Sequence, residues 1–300
     1  MIKIIFFLSP EVPGFGTLLN QMFSNMPLLR KSMNSGTKKA LIVSVGAFHK
    51  PDLPSRSGSK RDTKRLHKIL TKLGFKVTLL NDLTAEEIYE EFQNASREPL
   101  GECFLTVISS HGEEGRVYGA DCKPVKLADI FSFFDGPATK AIPKLFFVQA
   151  CRGQNLDGGV EVDSAMTTEE EEEECSFSTY LSIPNESAVC FATAPGYAAF
   201  LNLTGSVFLQ TLCDILEEEN GCNLEVNQIA TQINYRVAYH YQAKGQELTG
   251  KKEMPCFVSR LTLPTFPFAK SCKERSFPLA IEDCHSSTLH CSSSRKKSIS

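Results

Sequence analysis

The sequence predicts an α/β sandwich, with a mostly parallel central sheet and helices on both of its faces. Short segments of strand length that are almost wholly apolar recur along the chain, beginning with KALIVSVGAF at Lys39. Such runs are typical of strands that are buried on both faces. Amphipathic segments of helical period separate these strands, and regular alternation of strand and helix favours a parallel sheet covered on both sides.

The first helix is predicted in SKRDTKRLHKILTKLG, where the large apolar residues share one face and basic residues lie opposite. Gly74 closes this segment and suits a helix C-terminus that requires a left-handed residue. The strand FKVTLLN follows. A second helix is expected to begin at Thr84, because Thr84 and Glu87 have the spacing of a capping box, in which hydroxyl and carboxylate satisfy free amides of the first turn.

The same alternation continues as far as Cys151. ECFLTVISSH is a buried strand, residues 117–120 form a short hairpin arm, ADIFSFF is a short helix and PKLFFVQA is a further strand. A stretch of low apolar content then contains six consecutive glutamates, Glu169–Glu174, which repel one another and stay solvated. Regular structure is expected again in the strand SAVCFATA, the helices SVFLQTLCDILEEEN and NLEVNQIATQINYRVAYHYQ, and the strand PCFVSRLTL.

These boundaries describe one fold with an inserted segment and two terminal extensions. We expect a short disordered prosegment in residues 1–38 and a disordered tail, rich in Ser, Lys and Cys, in residues 264–300. The two parts of the core are residues 39–163 and 186–263, and an acidic linker, residues 164–185, joins them.

Composition excludes several classes of partner. A net charge of −3 with 42% hydrophobic residues indicates a soluble globular chain and gives no reason to expect nucleic acid. Eleven cysteines at irregular spacing, several within apolar segments, fit reduced thiols in the cytoplasm, and the lack of a CxxC pair argues against a zinc site. The N-terminal apolar run is broken by Pro10 and is too short to span a membrane. We therefore expect a cytoplasmic protein with no membrane partner, no metal and no cofactor.

Cys151 and His111 are the residues best placed for chemistry. Each stands where a buried strand ends, and in open α/β sheets the working site lies beyond the carboxyl ends of the strands. A cysteine beside an imidazole can lose its proton and attack a carbonyl group, and backbone amides of Gly112 and Cys151 are candidates to stabilise the resulting oxyanion. A buried cysteine that only fills space is the alternative for Cys151.

Several short motifs occur together and in a fixed order. Beyond QACRG, residues 149–153, these are SRSG at 55–58, SSHGEEG at 109–115, TAPGY at 193–197 and PCFVSRLT near the end of the core. With them the chain resembles the caspases, most closely the executioner type, from Lys39 to Thr262. The resemblance implies a three-layer sandwich, a catalytic dyad of His111 and Cys151, and oxyanion amides from Gly112 and Cys151.

The resemblance also implies a pocket for a substrate aspartate. Arg56 and Gln149 match two of its three expected residues, and Phe200 and Asn202 are further expected substrate-binding residues. The third pocket residue should be an arginine, and Leu201 stands in its place. The loop that follows is about one residue shorter than the family pattern, and valine replaces a tryptophan of the outer subsite at position 207.

Two functions are consistent with these residues. The first is a caspase-type cysteine endopeptidase that cleaves protein substrates after aspartate, is made as a zymogen cut at Asp163 in VEVD, and acts in apoptosis or differentiation as a homodimer or a heterodimer with another caspase. The second is a silent homologue that regulates active caspases by dimerising with them. The intact dyad favours the first and the Ala198–Asn202 stretch favours the second. An unrelated α/β domain would require the QACRG match to be accidental.

Overall fold

The computed structural model describes residues 37–158, 182–244 and 248–269. Residues 1–36 of the predicted prosegment, the glutamate run and the predicted processing site at Asp163 lie outside these residues, whereas Lys38, the last residue assigned to the prosegment, begins the first strand of the sheet. The centre is a six-stranded sheet in the order β11-β8-β7-β3-β1-β2, in which only β11 runs antiparallel to its neighbour. Its strands are β1 (Lys38–Ser44), β2 (Phe75–Asn81), β3 (Phe104–Ser109), β7 (Lys144–Gln149), β8 (Ser187–Phe191) and β11 (Cys256–Ser259).

Helices cover both faces of the sheet. They are α1 (Ser59–Lys72), α2 (Ala85–Arg97), α3 (Leu127–Ser132), α4 (Val207–Glu217) and α5 (Val226–Tyr235), with a 3-10 turn at Gly221–Asn223 and a π-helical turn at Arg236–His240. No helix within the described residues is long and apolar enough to cross a membrane.

Successive residues of the strands enter two separate cores. In β1, Ala40 and Ile42 pack with α1, α4 and α5, whereas Leu41 and Val43 pack with α2 and α3 on the opposite face. This alternation follows from the two-residue period of a strand, and it requires the strands to be apolar throughout. The predicted α/β sandwich with a mostly parallel sheet is therefore confirmed.

The predicted helix ends also agree with the structure. Thr84 and Glu87 form the capping box, since the Thr84 side chain accepts from the Glu87 amide and the Glu87 carboxylate accepts from the Thr84 amide. Gly74 has a φ of 86°, as expected for a residue that ends a helix in the left-handed region.

Two small sheets flank the carboxyl ends of the central strands. One contains β4 (Gly112–Glu113), β5 (Arg116–Tyr118) and β6 (Pro124–Lys126), where the sequence predicted a hairpin arm. The other is a hairpin of β9 (Leu201–Asn202) and β10 (Gly205–Ser206). Strands of two residues leave no readable period, so the sequence did not predict this hairpin.

The prediction that the tail begins at Pro264 is wrong for residues 264–269. Phe268 is fully buried and its ring lies 6.0 Å from the ring of Phe75. The Thr265 carbonyl accepts a hydrogen bond from the amide of Val226 at the start of α5. These residues complete the core on one face of the sheet, and a burial fixed by distant partners has no local sequence signal.

Two other boundaries need correction. The acidic linker, predicted to run to residue 185, ends earlier. Ile183 is buried in the core, and its carbonyl accepts a hydrogen bond from Arg260. The helix predicted through residue 242 ends as an α-helix at Tyr235 and continues only as the π-helical turn.

Candidate active site

His111 and Cys151 follow neighbouring strands of the sheet. β3 and β7 are parallel and in register, with Ser109 opposite Gln149, so the residues that follow them emerge at the same edge. Both side chains line a cavity of about 370 Å³. The structure therefore brings together the two residues that the sequence proposed as a dyad.

The imidazole of His111 is held by the loop between β1 and α1. Its Nε2 lies 2.8 Å from the carbonyl oxygen of Pro54, and a carbonyl can only accept, so Nε2 carries the proton. This leaves Nδ1 as the free basic nitrogen. Burial lowers the pKa of His111 below its usual value, which keeps the ring neutral and able to accept a proton at neutral pH.

The thiol of Cys151 lies against a segment from the second half of the chain. The backbone amide of Ala199 donates to Sγ at 3.4 Å, and the Ala199 carbonyl lies 3.7 Å from Sγ. Gly112 packs against the backbone of Cys151, where a Cβ atom would come within 2.6 Å of the Arg116 carbonyl oxygen and 3.0 Å of the Cys151 carbonyl oxygen. Only glycine allows the two backbones to approach this closely.

The floor of the cavity carries a fixed cation, Arg56. Its Nη1 donates to the Val45 carbonyl at 2.8 Å and its Nη2 to Ser109 Oγ at 3.1 Å. Burial lowers the pKa of Arg56 to about 10, and the nearby Asp62 carboxylate opposes this shift, so the guanidinium remains charged at neutral pH. These two bonds leave further N–H groups of the five-donor guanidinium for a ligand.

The rest of the cavity wall is divided between polar and apolar groups. Gln149 is buried, and its Oε1 has no hydrogen-bond partner among the described residues. Leu201, Asn202 and the exposed Leu203 line the opposite side. That side is pressed against the loop carrying Arg56, since a Cβ on Gly58 would lie 1.9 Å from the Asn202 carbonyl oxygen.

Comparison with known proteins identifies the family. A family model described as the caspase domain matches residues 37–266. The chain belongs to the caspase family. Caspase-7 of Gallus gallus is 33% identical over 256 residues, covering 82% of each chain, and caspase-3 of Oryctolagus cuniculus is 38% identical over 233 residues, covering 74% of this chain and 80% of that protein. The crystal structure of caspase-1 from Spodoptera frugiperda has a TM-score of 0.69 at 30% identity and covers 83% of this chain and 98% of its own.

The caspase resemblance read from the motifs and the three-layer fold it implied are confirmed. Of the substrate-binding residues it suggested, Arg56, Gln149 and Asn202 line the same cavity as the dyad. Phe200 does not line this cavity, and its ring lies 5.6 Å from the ring of Tyr241. Its proposed contact with substrate remains a prediction. Within the described residues, no cluster of His, Cys, Asp and Glu is arranged to hold a metal ion.

Arg152, the residue after Cys151, anchors the loop that follows β7. Arg152 is buried, donates through Nε and Nη2 to Glu114 Oε1 at 3.2 and 3.0 Å, and donates through Nη1 to the Thr193 carbonyl. Its guanidinium also lies 4.2 Å from the centre of the Phe191 ring. The loop behind Cys151 is therefore fixed on three sides.

Sequence reasoning missed the parts of the site that depend on backbone or on distant contacts. The Pro54 carbonyl has no side-chain signature, and Asp62 reads as a polar residue of an amphipathic helix. Asp62 is fully buried, and its carboxylate accepts from the Ser206 amide and from Gln210 Nε2 at 2.6 Å. It thereby ties the β9–β10 hairpin to the helix that follows Arg56.

Proposed function

We propose that this caspase is an active cysteine endopeptidase that cleaves protein substrates after aspartate. The observation that carries the proposal is the convergence of His111, Cys151, Arg56 and Gln149 on one cavity. A nucleophile, a neutral base and a fixed cation are the groups needed to cut an amide bond beside an acidic side chain.

The proposed chemistry uses His111 and Cys151 in turn. Cys151 Sγ–H gives its proton to Nδ1 of His111, and the sulfur attacks the carbonyl carbon of the substrate aspartate. The carbonyl π bond opens to an oxyanion, for which the amides of Gly112 and Cys151 are the proposed donors. The C–N bond then breaks as His111 returns the proton to the leaving amine, and a water molecule hydrolyses the thioester to free Cys151.

Arg56 supports recognition of aspartate. Its guanidinium is positively charged and immobilised by bonds to Val45 and Ser109, so it binds a carboxylate with little loss of side-chain freedom. The Leu201 position supplies no second cation. We therefore propose that aspartate is recognised through Arg56 and Gln149, with lower affinity than a pocket of two arginines would give.

The remaining features are proposed from the family. We propose a zymogen cut after Asp163 into a large and a small chain, and an assembly of two such pairs through β11, the edge strand of the sheet. A cytoplasmic setting in apoptosis or differentiation fits relatives named caspase-7 and caspase-3. An Asp163→Ala variant is expected to stay a single chain when exposed to an active executioner caspase, whereas the unchanged protein is cut.

A second function rests on one observation. Leu201 places an apolar side chain in the cavity wall where the family pattern has a cation. If this change abolishes catalysis, the chain acts as a regulator that pairs with active caspases.

A cleavage profile separates the two functions. Purified protein, cut at Asp163, is incubated with a diverse peptide library and the products are read by mass spectrometry. Cleavage after aspartate is expected, and it should vanish in Cys151→Ala. It should persist in Cys122→Ala, the control, which removes a free thiol outside the cavity lining. No cleavage at high concentration by a dimer that still forms would favour the regulator.

A further inference from the structure

The Ala198–Asn202 segment, which forms one wall of the cleft, is attached to a buried carboxyl group. The backbone amide of Phe200 donates to Glu253 Oε2 at 2.9 Å. Glu253 is only 1% exposed, although the sequence KKEMP around it reads as a solvated turn. A glutamate is seldom buried to this degree unless it is paired, so its position calls for a physical reason.

This contact lies one residue along the segment from the contact with the Cys151 thiol. Ala199 donates its amide to Cys151 Sγ, and the next amide along the chain, that of Phe200, donates to Glu253. Two successive amides of the segment are thus held by side chains from different parts of the fold. A shift at Glu253 must therefore move the backbone that contacts the thiol.

The surroundings of Glu253 tie it to the outer part of the cleft. The rings of Tyr241 and Phe200 are in tilted contact, with centroids 5.6 Å apart, and Lys252 Nζ donates to the Tyr241 carbonyl at 2.9 Å. The Lys252 amide in turn donates to the Asp157 carbonyl in the loop after the nucleophile. Glu253 therefore sits where the catalytic loop, the cleft wall and the C-terminal part of the chain meet.

We propose that Glu253 is a positioning residue. Through its hydrogen bond from the Phe200 amide it fixes the position of the Ala198–Asn202 wall, and it thereby controls how tightly substrate is held. This inference rests on the proposed protease function for its kinetic consequence. Its structural consequence, the fixation of the wall, does not depend on activity.

The electrostatics give the positioning a dependence on pH. Burial raises the pKa of Glu253 to about 8, against the smaller opposing contribution of the Phe200 hydrogen bond. The facing Tyr241 phenol is neutral at this pH, because burial and the Glu253 carboxyl raise its pKa to about 12. Lys252 directs its ammonium to the Tyr241 carbonyl, and Asp157 meets Lys252 through its backbone. A charge on Glu253 would be poorly compensated beneath the closed wall, so the closed wall retains the proton and a rise in pH favours its opening.

Hydrogen exchange read by mass spectrometry tests the fixation directly. In full-length Cys151→Ala protein, we expect Glu253→Leu, which removes the acceptor at similar volume, to lower the protection of the peptide containing Phe200 by roughly tenfold. Glu253→Gln keeps an acceptor oxygen and is expected to retain protection. Glu219→Gln, an exposed change after α4, is the matched control.

If Glu253→Leu does not fold, the same exchange measurement made over a series of pH values still tests the proposal. After correction for intrinsic exchange, protection of this peptide in the unsubstituted Glu253 background should fall as pH rises from about 4.5 to about 8 and level off above it, whereas it should stay flat in Glu253→Gln. Equal protection in all variants at every pH would overturn the proposal, whether or not the protein cleaves peptides.

Kinetics of the active form supply the second reading. Glu253→Leu is expected to raise KM about tenfold with a smaller change in kcat, and Glu253→Gln to restore KM. A fall in kcat at constant KM would mean that Glu253 acts on the dyad and not on the wall, and would also overturn the proposal. Absence of activity in every variant would count against the proposed protease function alone.

Discussion

At the scale of single residues, the difference between Arg56 and Leu201 bears on the proposed recognition of an acidic substrate. Arg56 is buried and doubly hydrogen-bonded, so its guanidinium is already held in place for the proposed contact with a carboxylate. Leu201 lines the same cavity and offers no donor from its side chain. A hydrogen bond to a charged group contributes about 1.5 to 3 kcal/mol, so the missing cation corresponds to roughly a ten- to hundredfold loss in catalytic efficiency.

Leu201→Arg should recover this loss. We expect kcat/KM for aspartate peptides to rise by roughly ten- to hundredfold, because the added guanidinium can share the carboxylate with Arg56. Thr204→Arg is the matched control, since it adds the same charge on the same hairpin at an exposed position outside the cavity lining. An equal gain in both variants would show that the effect is general electrostatic attraction and not completion of the pocket.

The lowered pKa of His111 leads to a prediction about the pH dependence of kcat/KM. Its pKa is lowered chiefly by burial, and a lowered pKa means that the neutral base persists to more acidic pH. The midpoint of the acid limb of kcat/KM should therefore lie below about pH 6.5, the usual pKa of histidine. A limb at or above this value, measured with an uncharged substrate flank, would contradict the proposed role of the neutral ring as the base.

At the scale of elements, the C-terminal segment 264–269 behaves as part of the core. Phe268 is fully buried against Phe75, whereas Phe266 is 50% exposed. Phe268→Ala should lower the free energy of unfolding by about 3 to 5 kcal/mol through the lost burial and the cavity left behind. Phe266→Ala, the matched control, should change it by much less, and denaturant titration measures both. Similar small losses would restore the boundary at Pro264.

The elements show what local sequence can predict. The apolar strands, the amphipathic helices and the Thr84 capping box were all correct, because their signals lie within a few residues of one another. Phe268, the β9–β10 hairpin and Glu253 were missed, because their structure is set by partners far along the chain. Motifs located the proposed dyad, whereas the Pro54 carbonyl and the buried Asp62 became visible only in three dimensions.

At the scale of the whole molecule, Glu253 links stability to pH. Its ordinary pKa of 4.5 is raised to about 8 in the folded protein. Between these values the unfolded chain is ionised while the native carboxyl is protonated, so the native state binds more protons and its stability falls as pH rises. The window runs from about pH 4.5 to 8, and the slope approaches about 1.4 kcal/mol per pH unit within it.

Glu253→Gln should remove this slope. The amide keeps an acceptor oxygen and cannot ionise, so the variant should gain about 3 kcal/mol over the unsubstituted protein between pH 5 and 7.5. Urea titrations at the two pH values measure the gain, with Glu219→Gln as the control. A constant difference between Glu253→Gln and the unsubstituted protein at both pH values would mean that Glu253 does not titrate in this range.

The site also has a definite arrangement along the chain. The groups proposed for bond breaking, His111, Gly112 and Cys151, come before residue 158, as do Arg56 and Gln149 of the proposed aspartate pocket, whereas the wall carrying Leu201 comes after residue 182. Substitutions after residue 182 can therefore alter the choice of substrate while Cys151 stays unchanged. A chimera that joins the first part of this chain to the second part of a relative with an arginine in the wall would keep this protein's chemistry and acquire the relative's selectivity.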